Sequence, residues 1–170
     1  MNNATLGIAT DFVRTGIARA GIPLTDTLEA YLSITFARFI GTAIAVDQLT
    51  VRTARAMDAN APRDTLRALA DECLIACAFF ERRLRRNGTI RHYVGLGQAS
   101  YDAAALPEQA YGFVHMRDVI ASAAGGEADD PRVLVDRARA GSPTARGELA
   151  QQNVVVGPWG GGPKSGLLWR

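Results

Sequence analysis

The sequence predicts an all-α protein, and three observations lead to that prediction. Apolar residues recur at intervals of three and four positions along most of the chain, which is the spacing of amphipathic helices. Glycine, proline and capping residues interrupt these patterns where helices would end. No stretch before residue 152 alternates apolar and polar residues as a half-buried strand does. We therefore expect a single domain of about six or seven helices, arranged orthogonally or as a bundle.

Composition narrows the class of protein. A chain of 170 residues suits one domain, and its 48% apolar and 21% charged residues are ordinary for a globular protein. A net charge of +2 gives the whole molecule no strong attraction to nucleic acid or to anionic lipid. The most apolar window, residues 34–46, is interrupted by Arg38 and is shorter than the roughly 20 residues of a membrane span. We expect a cytoplasmic protein without a membrane segment.

The first half of the chain contains three helical patterns. The first ends at Gly21-Ile22-Pro23, because glycine closes helices and proline cannot continue one. The second begins at Thr25 and Asp26. Gly41 could end it, but we expect the helix to continue to about Met57 with a weak point at Gly41. The third is the clearest, and its predicted buried stripe comprises Leu66, Leu69, Ala70, Cys73, Leu74, Cys77, Phe80 and Leu84. Its predicted exposed face comprises Arg63, Arg67, Asp71, Glu72, Glu81 and Arg82.

The sequence pattern of the second half of the chain predicts shorter helices followed by a tail. Patterns begin near Ile90, at Pro107 and at Asp130-Pro131, and the last of them extends to about Ala140. Ser142-Pro143 could start one or two further turns. We therefore divide the chain into a helical domain, residues 1–140, and a C-terminal tail or arm, residues 141–170.

The end of the tail is rich in glycine and carries both tryptophans of the protein. Isolated bulky apolar side chains in such a segment are typical of a docking peptide. The predicted partner-binding residues are Val155, Trp159, Leu167, Leu168 and Trp169. The alternative is that these side chains pack on the protein's own core. We expect a non-enzymatic interaction or scaffold protein that uses this tail for self-assembly, as a homo-oligomer, or for docking to a protein partner.

A basic cluster suggests a second function. Arg82, Arg85 and Arg86 share one helix face and could bind the phosphates of a nucleic acid. The same arginines could instead complement the helix dipole, and Arg85 could pair with Glu81 one turn earlier. A nucleic-acid-binding regulator is therefore an alternative function.

Two glycines mark a third candidate site. Gly95 and Gly97 lie inside a helical pattern, where each costs about 1 kcal/mol relative to alanine. Tyr93, Gly97 and Tyr101 share one face and could form a groove for a small ligand. Tight packing between helices is the other interpretation of this face.

No catalytic or metal-binding signature is evident. Cys73 and Cys77 lie within an apolar stripe, where cysteine behaves as a small buried hydrophobe, and they do not form a zinc pattern with His92 or His115. We predict no catalytic residue, no metal and no cofactor, although the sequence leaves enzymatic activity open.

The segments Asp71-Glu72-Cys73-Leu74 and Phe79-Phe80-Glu81-Arg82 precede the run from Thr89 to Tyr101. Together, over residues 64–105, they resemble a family of uncharacterised bacterial all-helical proteins. The resemblance implies an all-helical fold. It implies no catalytic residue and no activity, and it does not extend to the tryptophan-containing tail.

Overall fold

The computed structural model describes residues 3–125, 131–154 and 156, and all regular structure in these ranges is helical. The all-α prediction is confirmed for them. The helices, in chain order, are α1 (Asn3–Ala20), α2 (Asp26–Phe39), a 3₁₀ helix (Val46–Gln48), α3 (Leu49–Asp58), α4 (Arg63–Phe79), α5 (Glu81–Leu84), α6 (Ile90–Ala103), α7 (Pro107–Ala124), α8 (Pro131–Arg139) and α9 (Pro143–Gln151). None of these helices is long and apolar enough to cross a membrane.

The helix α4 supplies much of the main apolar core and packs against α6 and α7. Its predicted buried stripe is confirmed except at Phe80, which is 40% exposed. The helix ends at Phe79, and Phe80 is the capping residue between α4 and the short α5. The predicted exposed face is wrong at Asp71 and Glu81, which are both buried by side chains from other helices.

The predicted long second helix is divided in two. Thr25 caps α2 as expected, because its hydroxyl accepts a hydrogen bond from the Leu28 N–H. The helix ends at Phe39, however, and Gly41 has a φ of +76°, a left-handed conformation that a helix cannot include. The turn that follows buries Val46 and Leu49 and lets α3 pack on α4. This division, the separate α5 and the additional α9 raise the helix count above the expected number.

One glycine permits the close approach of three helices. A Cβ atom on Gly97 of α6 would lie 2.2 Å from Cε2 of Phe113 on α7 and 3.1 Å from Cβ of Cys73 on α4. Gly95, two residues earlier, is exposed, and a Cβ there would meet nothing within 4 Å. Helix packing therefore explains Gly97, whereas no contact among the described residues explains Gly95.

The helices α8 and α9 form a hairpin with an apolar cluster of its own. Leu134 and Ala138 of α8 pack against Ala145 and Leu149 of α9, and Val156 lies against this cluster. Helical structure thus continues beyond Ala140, within the segment that the sequence assigns to the tail.

Polar contacts connect this hairpin to the body. Glu81 of α5, which is buried, accepts hydrogen bonds from Arg85 and from Arg137 of α8. Arg85 also donates to Asp136 at 2.6 Å and to the carbonyl of Val133 at 3.3 Å. The carboxylate of Glu81 therefore pairs with one arginine from each side of the junction.

A second polar contact lies between α7 and α9. Asp118 of α7 is buried and accepts hydrogen bonds from the hydroxyls of Ser142 at 2.7 Å and Thr144 at 2.9 Å. Arg117 pairs with the other oxygen of the same carboxylate. Ser142 also caps α9, because its hydroxyl accepts a hydrogen bond from the Ala145 N–H. The same side chain therefore caps α9 and connects it to α7.

The two glycines of α6 provide a matched test of the packing. Gly97→Ala should lower the free energy of unfolding by about 1–3 kcal/mol, because Phe113 is fully buried and has no room to move. Gly95→Ala should raise it by about 0.5–1 kcal/mol through helix propensity alone. Chemical denaturation of both variants measures these changes. Equal effects of the two substitutions would contradict the packing of α6 described above.

Glu81→Gln should destabilise the chain by about 2 kcal/mol, because it leaves the half-buried guanidiniums of Arg85 and Arg137 without their shared carboxylate. Glu148→Gln, on the exposed surface of α9, is the control and should change the free energy of unfolding by less than about 0.5 kcal/mol. Denaturant titration compares the two variants. A Glu81→Gln protein as stable as the wild type would mean that the network contributes nothing.

Candidate functional sites

The predicted ligand face lies in the interior. Tyr93 and Tyr101 are 1% and 0% exposed, and Gly97 is covered by Phe113. The ring of Tyr101 makes edge-to-face contacts with Phe113 and with Tyr31 of α2. Side chains from α2 and α7 therefore fill the space that a ligand would need, and this face serves helix packing.

The three arginines of the proposed nucleic-acid surface are in different environments. Arg85 is held in ion pairs with Glu81 and Asp136, as described above. Arg82 and Arg86 are exposed. Only two of the three predicted side chains are thus displayed on the surface, and binding of nucleic acid stays a prediction.

Both cysteines are free thiols inside the main core. Burial raises the pKa of Cys73 to about 12 and the pKa of Cys77 well above its usual value, so both thiols are protonated at neutral pH. Within the ranges that the structure describes, no group of three or more potential ligands is placed to hold a metal ion. His92 lies elsewhere, with its Nε2 atom 3.1 Å from the hydroxyl of Thr50.

The predicted partner-binding residues of the tail, Val155, Trp159, Leu167, Leu168 and Trp169, lie outside the described residues. Val156 is the last described position, and it packs beside the α8–α9 hairpin.

Exposed apolar side chains gather where the N-terminal half of α1 and the C-terminal ends of α2 and α4 meet. The rings of Phe12 and Phe36 stack with centroids 4.3 Å apart, and Phe79 lies 5.9 Å from Phe36. Phe79 and Phe80 are each 40% exposed. We call this region the phenylalanine surface, and it comprises Phe12, Phe36, Phe79, Phe80, Ile8 and Ile40.

The two isoleucines extend this surface along its helices. Ile8 precedes Phe12 by one turn of α1 and is 64% exposed. Ile40 follows Phe36 by the same interval at the end of α2 and is 46% exposed. Sequence periodicity assigns Phe80 to the core, whereas Phe79 and Phe80, at the end of α4, are exposed; Phe12 and Phe36 pack partly against the main core.

A buried carboxylate joins α2, α4 and α6. Oδ1 of Asp71 accepts hydrogen bonds from the hydroxyls of Tyr31 and Tyr101, both at 2.7 Å, and Oδ2 accepts from Nη1 of Arg38 at 3.3 Å. Burial raises the pKa of Asp71, although these hydrogen bonds and the nearby Arg67 oppose the shift. Burial and the neighbouring carboxylate also raise the pKa of both tyrosines.

Sequence reasoning missed this cluster. Asp71 lies between residues of the buried stripe and follows Arg67 by one turn, so its local pattern resembles an exposed ion pair. Its partners come from positions 31, 38 and 101, and no local signal connects them.

Comparisons of the chain with models of known protein families, with curated proteins and with solved structures gave no match. The resemblance over residues 64–105 therefore stays a prediction. The evidence for the candidate sites is the geometry of the described residues.

Tyr101→Phe should lower the free energy of unfolding by about 2 kcal/mol, because it removes one of the hydrogen bonds to a buried carboxylate. It should also raise the pKa of Asp71 further, since the Tyr101 hydroxyl lowers it in the wild type. Chemical denaturation measures the change in the free energy of unfolding. An NMR titration that follows the carboxyl carbon of Asp71 measures the change in its pKa.

Tyr111→Phe is the matched control, because Tyr111 is 85% exposed and lies on the outer side of α7. This substitution should leave the free energy of unfolding and the pKa of Asp71 unchanged. If Tyr101→Phe behaved like this control, the Asp71 hydrogen bonds would not stabilise the fold.

Proposed function

We propose that this chain is a non-enzymatic interaction protein that assembles with a second copy of itself. In this assembly, the C-terminal segment of one copy docks on the phenylalanine surface of the other. The observation that supports the proposal is the group of contacting rings formed by Phe12, Phe36 and Phe79, of which Phe79 is 40% exposed. Contiguous apolar patches of this kind mark interaction sites, whereas single exposed apolar residues are common on any protein.

The rings of the phenylalanine surface are already ordered by packing within the chain. Phe12, Phe36 and Phe79 are held against one another by ring contacts between three helices. Side chains that are already ordered lose little conformational entropy when a partner covers them. Phe80 and Ile8 are 40% and 64% exposed, so a partner could remove them from water.

The proposed occupant is the segment of residues 157–170. It carries Trp159, Leu167, Leu168 and Trp169, which provide the large apolar anchors that an aromatic surface accepts. An extended chain advances roughly 3.3–3.6 Å per residue, so this segment is long enough to reach a neighbouring copy. Two copies that exchange segments would form two identical contacts, which is how closed dimers are built.

Light scattering of the full chain tests the assembly. The wild type should have the mass of a dimer or a larger oligomer at about 100 µM, which suits contacts of modest affinity. Ile8→Ser combined with Phe80→Ser should reduce the mass to that of a monomer, and so should Trp159→Ala combined with Trp169→Ala. Tyr111→Ser is the control for loss of an exposed aromatic side chain and should leave the mass unchanged.

Mixing the two defective proteins tests the geometry of the contact. The phenylalanine-surface variant keeps its segment, and the tryptophan variant keeps its surface, so one productive contact can still form between them. A mixture should therefore contain a heterodimer that neither variant forms alone. A monomeric wild type would refute docking between copies, and a chain ending at Val156 that assembles normally would exclude the segment.

A further inference from the structure

The helix α6 displays one face to solvent along most of its length. Arg91, Gly95, Ala99 and Asp102 are all exposed. They follow one another at intervals of four, four and three residues, so they lie along one side of the helix. The opposite side of α6 packs in the main core.

Two opposite charges mark the ends of this face. Arg91 and Asp102 are the only arginine, lysine, aspartate or glutamate residues of α6. They are close to three full turns apart and therefore project on the same side of the helix. Neither side chain makes an ion pair or a hydrogen bond with another described residue. Both charges are thus available to a partner.

Both charges are also placed unfavourably with respect to their own helix. The N-terminus of a helix carries partial positive charge and the C-terminus partial negative charge. Arg91 lies in the first turn and Asp102 in the last turn of α6. A second helix that runs in the opposite direction reverses this relation, because it brings an acidic end to Arg91 and a basic end to Asp102 if it has the same sequence.

The surface between the two charges carries small side chains. A Cβ atom on Gly95 would meet nothing within 4 Å, and Ala99 follows one turn later. Both residues border a surface hollow of about 460 Å³ whose lining also includes Arg91. Small residues at a helix crossing let the two helix axes approach closely.

We propose that α6 docks in antiparallel orientation on α6 of a second copy of this chain, so that Arg91 of each copy faces Asp102 of the other. A two-fold axis between the helices forms the same ion pair twice, which makes this face complementary to itself. The contact uses neither the phenylalanine surface nor the C-terminal segment, so it goes beyond the assembly proposed above.

The expected affinity follows from the size of the contact. A helix of 14 residues is about 21 Å long, so the contact is smaller than a standard protein interface. Its dissociation constant should therefore be on the order of 1 mM. Dimers of this kind would be few at about 100 µM, where docking of the C-terminal segment is measured.

Sedimentation equilibrium at low salt tests the contact in the full chain carrying Trp159→Ala and Trp169→Ala, which removes docking of the C-terminal segment. This protein should dimerise at concentrations of about 1 mM. Adding Arg91→Asp or Asp102→Arg should weaken dimerisation at least about tenfold, because two attractive pairs become repulsive. The combined exchange of both charges should recover dimerisation relative to either single reversal.

A mixture of the two single-reversal proteins should form a heterodimer, because every charge pair between them is attractive. Arg55→Asp and Asp58→Arg are the matched controls, since both positions are exposed on α3 and the reversals change the net charge equally. Neither control reversal, nor their mixture, should alter the association.

Two outcomes would overturn the α6 contact. The first is a tryptophan variant that stays monomeric at about 1 mM, and the second is reversals at positions 91 and 102 that behave like the controls. Arg91→Gln tests the direction of the helices, because neutralising one charge weakens an antiparallel contact. Stronger dimerisation of this variant would indicate parallel helices and would also overturn the proposal.

Failure of the assembly proposed above gives a different result. The wild type and the tryptophan variant would then have equal masses at about 100 µM. The charge reversals would still decide whether α6 pairs with a second copy.

Discussion

The arrangement of the helical body depends on satisfying the carboxylate of Asp71. A buried charge is strongly unfavourable unless hydrogen bonds or opposite charges surround it. Tyr31 and Tyr101 supply these bonds from α2 and α6, so both helices must present one particular face to α4. The Tyr101 ring then contacts Phe113, which extends the same constraint to α7. A polar interaction thus orients helices whose apolar faces would tolerate several arrangements.

The body and the C-terminal hairpin are stabilised in different ways. The body has one continuous apolar core, whereas the hairpin has a small separate cluster. The buried acids Glu81 and Asp118 connect the two by accepting hydrogen bonds from Arg137, Ser142 and Thr144. Attachment of the hairpin therefore depends on directional polar contacts, and these fix its position more specifically than a small apolar contact would.

The helix α4 connects two features of the body. Its N-terminal half carries the buried Asp71, and its C-terminal end carries Phe79 beside Phe80. The middle of the helix is packed inside the main core.

Local pattern determined the helices of this protein, and tertiary contacts determined its sites. Periodicity, Gly21-Ile22-Pro23 and the cap at Thr25 predict α1 and the start of α2 correctly, because these signals act within a few residues. The same reasoning placed Asp71 and Glu81 on the exposed face and Phe80 in the core. The burial of these three residues depends on side chains from distant helices and on the residue at which α4 ends. The spacing of apolar residues within one helix carries no information about either. Only the packing of α2, α6 and α8 against α4 and α5 decides that these carboxylates are buried and paired and that the phenylalanines remain at the surface.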